Sequence, residues 1–595
     1  MTIRITLLAT AAAGSLIATG AYAAPAKKHH AAAHRAPSAN SELLQEVKEL
    51  RAQVEELRAK VDTTSSIQAE TVAQVNTTQA QVANVQTQVQ AVAATPPVSK
   101  AQVDTQIATA INKEHHNDKF YFKGITITPG GFLEAAGIYR SRFQGDDIAS
   151  SFAIPFPGQS HPSHTAEGRF SARQSRVSLL AEGQVNPNTK LGMYTELDFQ
   201  GAAQTSNSNQ SNSYVPRIRN VYGTIDWARD GYGIHFLAGQ NWSLLTMQSK
   251  GMTPRAEVTP PQIDAQYIPG FAWARQPGVR IVGDFMDHKL WVGLAAENPQ
   301  TTFGGTGVPA GVVSVINGQG LSAASGTITC PAGTTAATLP TSCSVSVSST
   351  TQAAPSGSFQ QFYNGVGSSL SLNQVPDVIG KVAYEANLAG HGVHVEGFGI
   401  YRTFSTHVDG TQTNRDTHGF GYGGSINIQV VPKILDVQFS GIGGRGIGRY
   451  GSAGLPDVTS DAAGNLHAIS EFMLLAGATL HATPKLDVYG FAGEEQEYQK
   501  LLNGGTTGLG LITANNTGCF VETATTTTTS TCAGNTRRIR QVTAGVWDKF
   551  YQGPFGRAQI GFQWSYTQRQ LFAGIGGEPQ THNNMGFVSF RYYPF

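Results

Sequence analysis

The chain has 595 residues, a formal net charge of +1, 40% hydrophobic and 14% charged residues, and 67 glycines. Soluble globular proteins carry about 25% charged residues, so the composition argues against an ordinary cytosolic protein. The near-balance of charge excludes a global field that would recruit nucleic acid, and abundant glycine suits sheet with many tight turns better than helix interiors.

Residues 1–23 combine Arg4, an apolar stretch from Ile5 to Ala18 and an Ala-x-Ala site at Ala21 to Ala23, which predicts a secretory signal peptide. No later window reaches the roughly 18 consecutive apolar residues of a transmembrane helix. Residues 24–42 are a polar leader whose His29, His30 and His34 read as polar filler rather than a metal site. No metal and no cofactor is expected.

A heptad pattern runs without a skip through residues 43–93. Val47, Val54, Val61, Gln68, Val75, Val82 and Val89 occupy one core position, and Leu43, Leu50, Leu57, Thr64, Thr71, Thr78, Val85 and Val92 the other. This predicts a parallel coiled coil of roughly 75 Å at 1.5 Å per residue. Valine and leucine at the two core positions are compatible with two strands. The later β-branched layers move the preference to three, and the Gln68 layer fixes register. Residues 94–119 form a linker, opened by Pro96 and Pro97, with a short helix presenting Val103, Ile107 and Ile111 on one face.

From Phe120 the period changes from 3.5 to 2. Ala558, Ile560, Phe562, Trp564 and Tyr566 alternate with Gln559, Gly561, Gln563, Ser565 and Thr567. Leu191, Met193 and Leu197 oppose Gly192, Tyr194, Glu196 and Asp198, and Leu435, Val437 and Phe439 oppose Asp436, Gln438 and Ser440. A soluble sandwich alternates in the same way; the connections separate the two. Short ones ("VNPNTKL", "VVPKIL", "HATPKL") contrast with long ones over 144–168, 200–214, 298–362, 450–468 and 501–538. Short turns at one end and long loops at the other predict an all-β transmembrane barrel over 120–595, of about 16 antiparallel strands, in a bacterial outer membrane with the coiled coil in the periplasm. The chain ends "GFVSFRYYPF". A terminal Phe595 behind alternating aromatics resembles the signal that barrel insertion machinery reads, although Pro594 puts Phe595 out of phase with Val588, Phe590 and Tyr592.

Four cysteines fall in two pairs, Cys330 with Cys343 and Cys519 with Cys532, each separated by 12 residues inside Thr/Ser/Gly-rich loops. Two local disulfides in an oxidising compartment are the natural pairing. Three segments match GxGxxG, over 419–424, 441–446 and 446–451. None opens a helix in a βαβ unit, so they read as strand glycines.

Arginine clusters three times: Arg169, Arg173 and Arg176; Arg217 and Arg219; Arg275 and Arg280. Arginine facing lipid at mid-depth costs about 2–4 kcal/mol, so these side chains are expected in the lumen or at a subunit interface. Guanidinium groups grip carboxylates in bidentate fashion, so a lumen cluster favours anions. The bland alternative is that they pair with Glu167, Glu182, Glu196, Asp198 and Asp226, leaving a weakly selective pore.

The segments "FSARQSRVSL", "VPRIRNVYGTIDW", "FLAGQNWSLL" and "FAWARQPGVRI" resemble, in order and spacing, the DcaP-type porins, a family of trimeric outer-membrane channels with an N-terminal periplasmic coiled coil. The match covers roughly residues 120–290. The resemblance implies a diffusion channel for dicarboxylates and related small organic anions, with Arg173, Arg176, Arg217, Arg219, Arg275 and Arg280 lining the pore and Gln240 and Trp242 in a structural role. The expected partners are two further copies of the chain, outer-membrane lipid, the barrel insertion machinery, small organic anions and peptidoglycan. A coiled-coil adhesin or envelope tether and a barrel enzyme are the competing classes, and no segment nominates a nucleophile for the latter.

Overall fold

The computed structural model describes residues 48, 49, 51–59, 83, 119–159, 161–201, 215–305, 314–316, 319–320, 325–329, 344–348, 371–408, 413–522 and 531–595. The chain divides after Ala110. In the first unit residues 51–59 are helical and exposed throughout, Val54 and Leu57 included. The remaining coiled-coil core positions, the leader, the signal sequence and Cys330 with Cys343 lie outside the described residues.

In the second unit, alternation drives sheet formation and the sheet closes on itself. The strands are β1 (Ile125–Arg140), β2 (Glu167–Ser171, resuming as Arg176–Asn186), β3 (Thr189–Asp198), β4 (Arg217–Arg229), β5 (Tyr232–Trp242), β6 (Arg275–Phe285), β7 (Leu290–Glu297) and β8 (Asp377–Leu388). They continue as β9 (His391–Val408), β10 (Thr413–Val431), β11 (Leu435–Arg445), β12 (Ser470–His481), β13 (Leu486–Glu497), β14 (Thr536–Gly553), β15 (Gly556–Leu571) and β16 (Gln580–Tyr593). Each pairs antiparallel with the next. Pairing of Leu133–Arg140 with Met585–Tyr592 seals the ring, so among the described residues sixteen strands form one closed barrel. Closure leaves no unpaired edge, which is what lets a sheet sit in lipid.

The outer wall is apolar. Leu191, Met193, Ile225, Phe236, Phe439, Phe562, Trp564, Val588 and Phe590 project outward and are exposed, while Gln438, Gln559, Gln563, Ser565, Ser589 and Arg591 are buried inside. The alternation read from the sequence therefore has the expected sense. β16 ends at Tyr593, so Pro594 and the exposed Phe595 lie beyond the last ladder pair, in keeping with the phase break at the proline.

Seven turns of two to four residues join strands at one end, starting with 187–188 and ending with 554–555. The opposite end carries long connections, among them 141–166, 199–216, 298–376, 446–469 and 498–535. Cys519 and Cys532 are bonded within the last of these, with Cα atoms 4.5 Å apart. One long connection is absent from the sequence reading: 243–274, between β5 and β6, is the third long connection at this end and folds into the barrel. Its signals were Pro254, Pro260, Pro261 and Pro269 between two good strands. A buried run of Leu244, Leu245, Met252, Ile263, Ile268 and Phe271 hides its strandless character, because its apolar residues face a lumen wall instead of lipid.

Candidate functional site

The third loop is pinned inside the barrel by side chains that point inward from the walls. Leu244 N–H donates to Glu297 Oε1 at 2.8 Å, Gln248 N–H to Glu396 Oε1 at 3.0 Å, Gly251 N–H to Glu385 Oε1 at 2.5 Å and Gly270 N–H to Glu495 Oε1 at 2.7 Å. Lys381 Nζ donates to Thr246 O at 2.9 Å and Trp547 Nε1 to Pro261 O at 2.7 Å. These contacts come from β7, β8, β9, β13 and β14, so the loop crosses from its roots on β5 and β6 to the far wall. A lone carboxylate in this interior would be costly, and here each one satisfies loop amides that would otherwise be buried unpaired.

Facing this loop, four of the six arginines singled out from the sequence converge. Arg217 Nη2 lies 2.6 Å from Asp198 Oδ2, and Arg219 lies 2.5 Å from Glu196 Oε1 and 3.0 Å from Asp198 Oδ2. Both point inward because β3 shifts register between Glu196 and Leu197, so that β4 absorbs an extra residue opposite and turns Arg219 and Asn220 to the interior in succession. Gln240 Nε2 donates to the carbonyls of Ile218 and Arg219 at 3.0 and 3.1 Å and fixes that irregularity. Arg176 Nη1 stands 3.9 Å from Glu196, and Arg275 lies over the Trp242 ring, 4.6 Å from its centroid. Four guanidinium groups thus converge on the carboxylates of Glu196 and Asp198, four cations against two anions among these six side chains.

The loop answers this patch with Tyr267. Its ring packs 5.7 Å from Trp242 and 4.8 Å from Phe271. Burial pushes the Tyr267 phenol up, but the guanidinium groups of Arg219, Arg176 and Arg275 outweigh it and hold it down to about 8. The phenol oxygen faces guanidinium donors, Arg176 among them, a placement that sequence spacing could not reveal because Tyr267 sits 48 residues beyond Arg219.

The other two arginines lie elsewhere. Arg173 occupies the gap between the two parts of β2, and its guanidinium donates to Phe199 O at 3.0 Å and Gly201 O at 2.8 Å, tying two loops together. Arg280 is buried at the root of the third loop, donating to Trp242 O at 2.6 Å. A second cationic cluster went unread in the sequence. Arg402 and Arg449 are fully buried with Asp377 and Asp457, with Arg402 Nε 3.1 Å and Arg449 Nη2 2.8 Å from Asp377 Oδ2. Two charges against two make this a balanced staple between β8, β9 and the 446–469 loop, unlike the unbalanced patch at Arg176, Arg217, Arg219 and Arg275.

A closed sixteen-stranded barrel with an apolar exterior, short turns at one end, a third loop folded inward and charged lumen walls is the architecture of an outer-membrane porin. Among solved structures, the chain is similar to the outer membrane channel DcaP of Acinetobacter baumannii, at 15% identity over 80% of this chain and 99% of that one, with a TM-score of 0.51. It also aligns with the anion-selective porin from Comamonas acidovorans (9% identity, 79% of this chain, 99% of that one, TM-score 0.39) and with OmpT of Vibrio cholerae in its trimer form (11%, 79%, 100%, 0.37). No protein-family model and no curated protein sequence matches the chain. The likeness to DcaP is one of fold, and it agrees with the resemblance read from the segments between residues 120 and 290.

Proposed function

We propose that the protein is a passive diffusion channel for small organic anions, dicarboxylates foremost, working as a homotrimer in the outer membrane with its N-terminal coiled coil in the periplasm. The observation that carries this reading is the gathering of Arg176, Arg217, Arg219 and Arg275 on one inner wall beside Tyr267 of the inward-folded loop. A fixed cationic patch stabilises an anion through Coulomb attraction at every pH in the physiological range, because guanidinium does not deprotonate. Two carboxylates on one small molecule engage two separate guanidinium groups, which favours dicarboxylates over chloride. The channel performs no chemistry in this reading; selectivity comes from charge and loop position alone.

The reversal potential of the purified mature protein in a planar bilayer under a KCl gradient tests it. A chloride-biased potential, with succinate or a similar dicarboxylate blocking the current, is the expected result. A cation bias means that Glu196 and Asp198 neutralise the patch, and absence of conductance refutes the channel reading.

A further inference from the structure

The arginine patch lies toward the long-loop end of the inner wall, and the same wall continues toward the short turns with a second set of charges that takes no part in it. The ladder pairs Lys190 with Asp226 and Asp226 with His235, which puts these three side chains in one inward-facing row across β3, β4 and β5. In the row above lie Glu182 on β2 and Thr224 on β4, each opposite Gly192, and above those come Tyr194 and Tyr222. Glu196 is six residues from Lys190 on β3, so this row stands about 20 Å along the strands from the arginine patch.

Against this wall stands the tip of the inward loop. Ser249 N–H donates to Ala256 O at 2.8 Å and Val258 N–H to Met247 O at 2.9 Å, which closes the tip into a tight turn. Arg255 sits in that turn with φ +72°, in the left-handed region that residues other than glycine rarely adopt. Backbone strain of this kind gathers where a side chain has to be aimed. Here the turn carries the guanidinium over the Tyr194 ring, 5.6 Å from its centroid, and leaves the Arg255 side chain 39% exposed.

Between loop tip and wall is a cavity of about 380 Å³, lined by Glu182, Lys190, Tyr222, Asp226, His235 and Arg255. Its charges differ in kind from those of the patch above, because Lys190 and Arg255 stand against Glu182 and Asp226, two of each sign among these lining side chains. Glu182 Oε1 takes Lys190 Nζ at 2.9 Å, and Arg255 reaches the same oxygen only at 3.8 Å. Asp226 takes His235 Nδ1 at 2.8 Å and Thr224 Oγ1 at 3.3 Å. A guanidinium offers five N–H donors and a carboxylate about four lone-pair sites, so Arg255 and Asp226 both keep capacity for a ligand.

We infer that this cavity is a station for amphoteric solutes, amino dicarboxylates foremost, with a carboxylate on Arg255 and an ammonium group on Asp226. The inference deepens the channel reading and rests on it, since the lumen must admit solute. Charge selects the ligand class. A simple anion gains from the two cations and loses comparably to the two acids, whereas a solute that carries both signs gains at both ends. The arginine patch takes carboxylates without regard to an ammonium group, and the cavity then discriminates by that group. Its volume lies at the lower end of small-molecule sites, as a single amino acid requires.

The test compares L-glutamate with glutarate, the same carbon chain without the ammonium group, as blockers of the purified mature protein in a planar bilayer at pH 7. The dwell time of single blocking events is the readout. Glutamate is expected to dwell about tenfold longer than glutarate, as one added charge-assisted contact requires. Asp226→Asn brings the two dwell times together, with glutarate events in the same traces as proof of a folded channel, and Asp226→Glu restores the difference. Arg255→Gln shortens the glutamate dwell severalfold. Equal dwell times in the wild type, or a difference that survives Asp226→Asn, overturns the inference even in a channel with a clear chloride bias. A glutamate difference that Asp226→Asn abolishes in a channel without chloride bias refutes the anion reading and upholds the cavity, and absence of conductance overturns both.

Discussion

Arg176→Gln with Arg275→Gln removes two cations of the lumen patch, one 3.9 Å from Glu196 and the other stacked on Trp242. The pairs of Arg217 with Asp198 and Arg219 with Glu196 remain, so the patch falls from an excess of two charges to none. An anion about 5 Å from each lost charge forfeits about 0.8 kcal/mol per charge in water, about 1.7 kcal/mol together. Screening at physiological salt, where the Debye length is about 8 Å, leaves about 0.9 kcal/mol. That is a factor of about 4 to 5 in local anion population and the inverse for cations, hence about a twentyfold fall in the chloride-to-potassium permeability ratio. Reversal potentials of wild type and double variant, measured in the same KCl gradient, read this ratio directly. A double variant that keeps the wild-type bias refutes the assignment of selectivity to this wall and moves attention to the masking of charge elsewhere in the pore.

Further outcomes follow from the same contacts. Raising the pH through about 8 ionises Tyr267 among Arg219, Arg176 and Arg275 and lowers the excess from two charges to one. The anion preference is therefore about fourfold weaker at pH 9 than at pH 7, and Tyr267→Phe removes the pH step; a step that persists in that variant assigns it to another group. Arg402→Met leaves Asp457 buried without its paired cation and Asp377 held by Arg449 alone, and costs about 3–5 kcal/mol, read as a lower apparent Tm. An unchanged Tm shows that the cluster is hydrated. Gly270 has φ +86°, and a Cβ there lies 2.0 Å from Leu474 O on β12. Gly270→Ala therefore lifts the third loop from that wall at a cost of about 1–3 kcal/mol, measured as faster proteolysis within 243–274 and altered conductance.

The sequence alone carried the barrel because lipid outside and water inside impose a period of two on every strand, and the period survives in residues such as Phe562, Gln563, Trp564 and Ser565 without knowledge of their neighbours. It carried the asymmetry of turns and loops for the same reason, and it flagged Arg176, Arg217, Arg219 and Arg275 because charge on a strand must avoid the lipid. It missed the loop over 243–274 because a segment buried against a lumen wall is as apolar as a strand. It also grouped Arg173 and Arg280 with the others, since proximity in sequence does not report on which side of a strand break a side chain lies. Only the tertiary structure decided which arginines meet, which carboxylates they share and that Tyr267 comes to stand among them. Those are contacts between strands and loops tens of residues apart, and their geometry is set by barrel closure and strand register rather than by any local pattern.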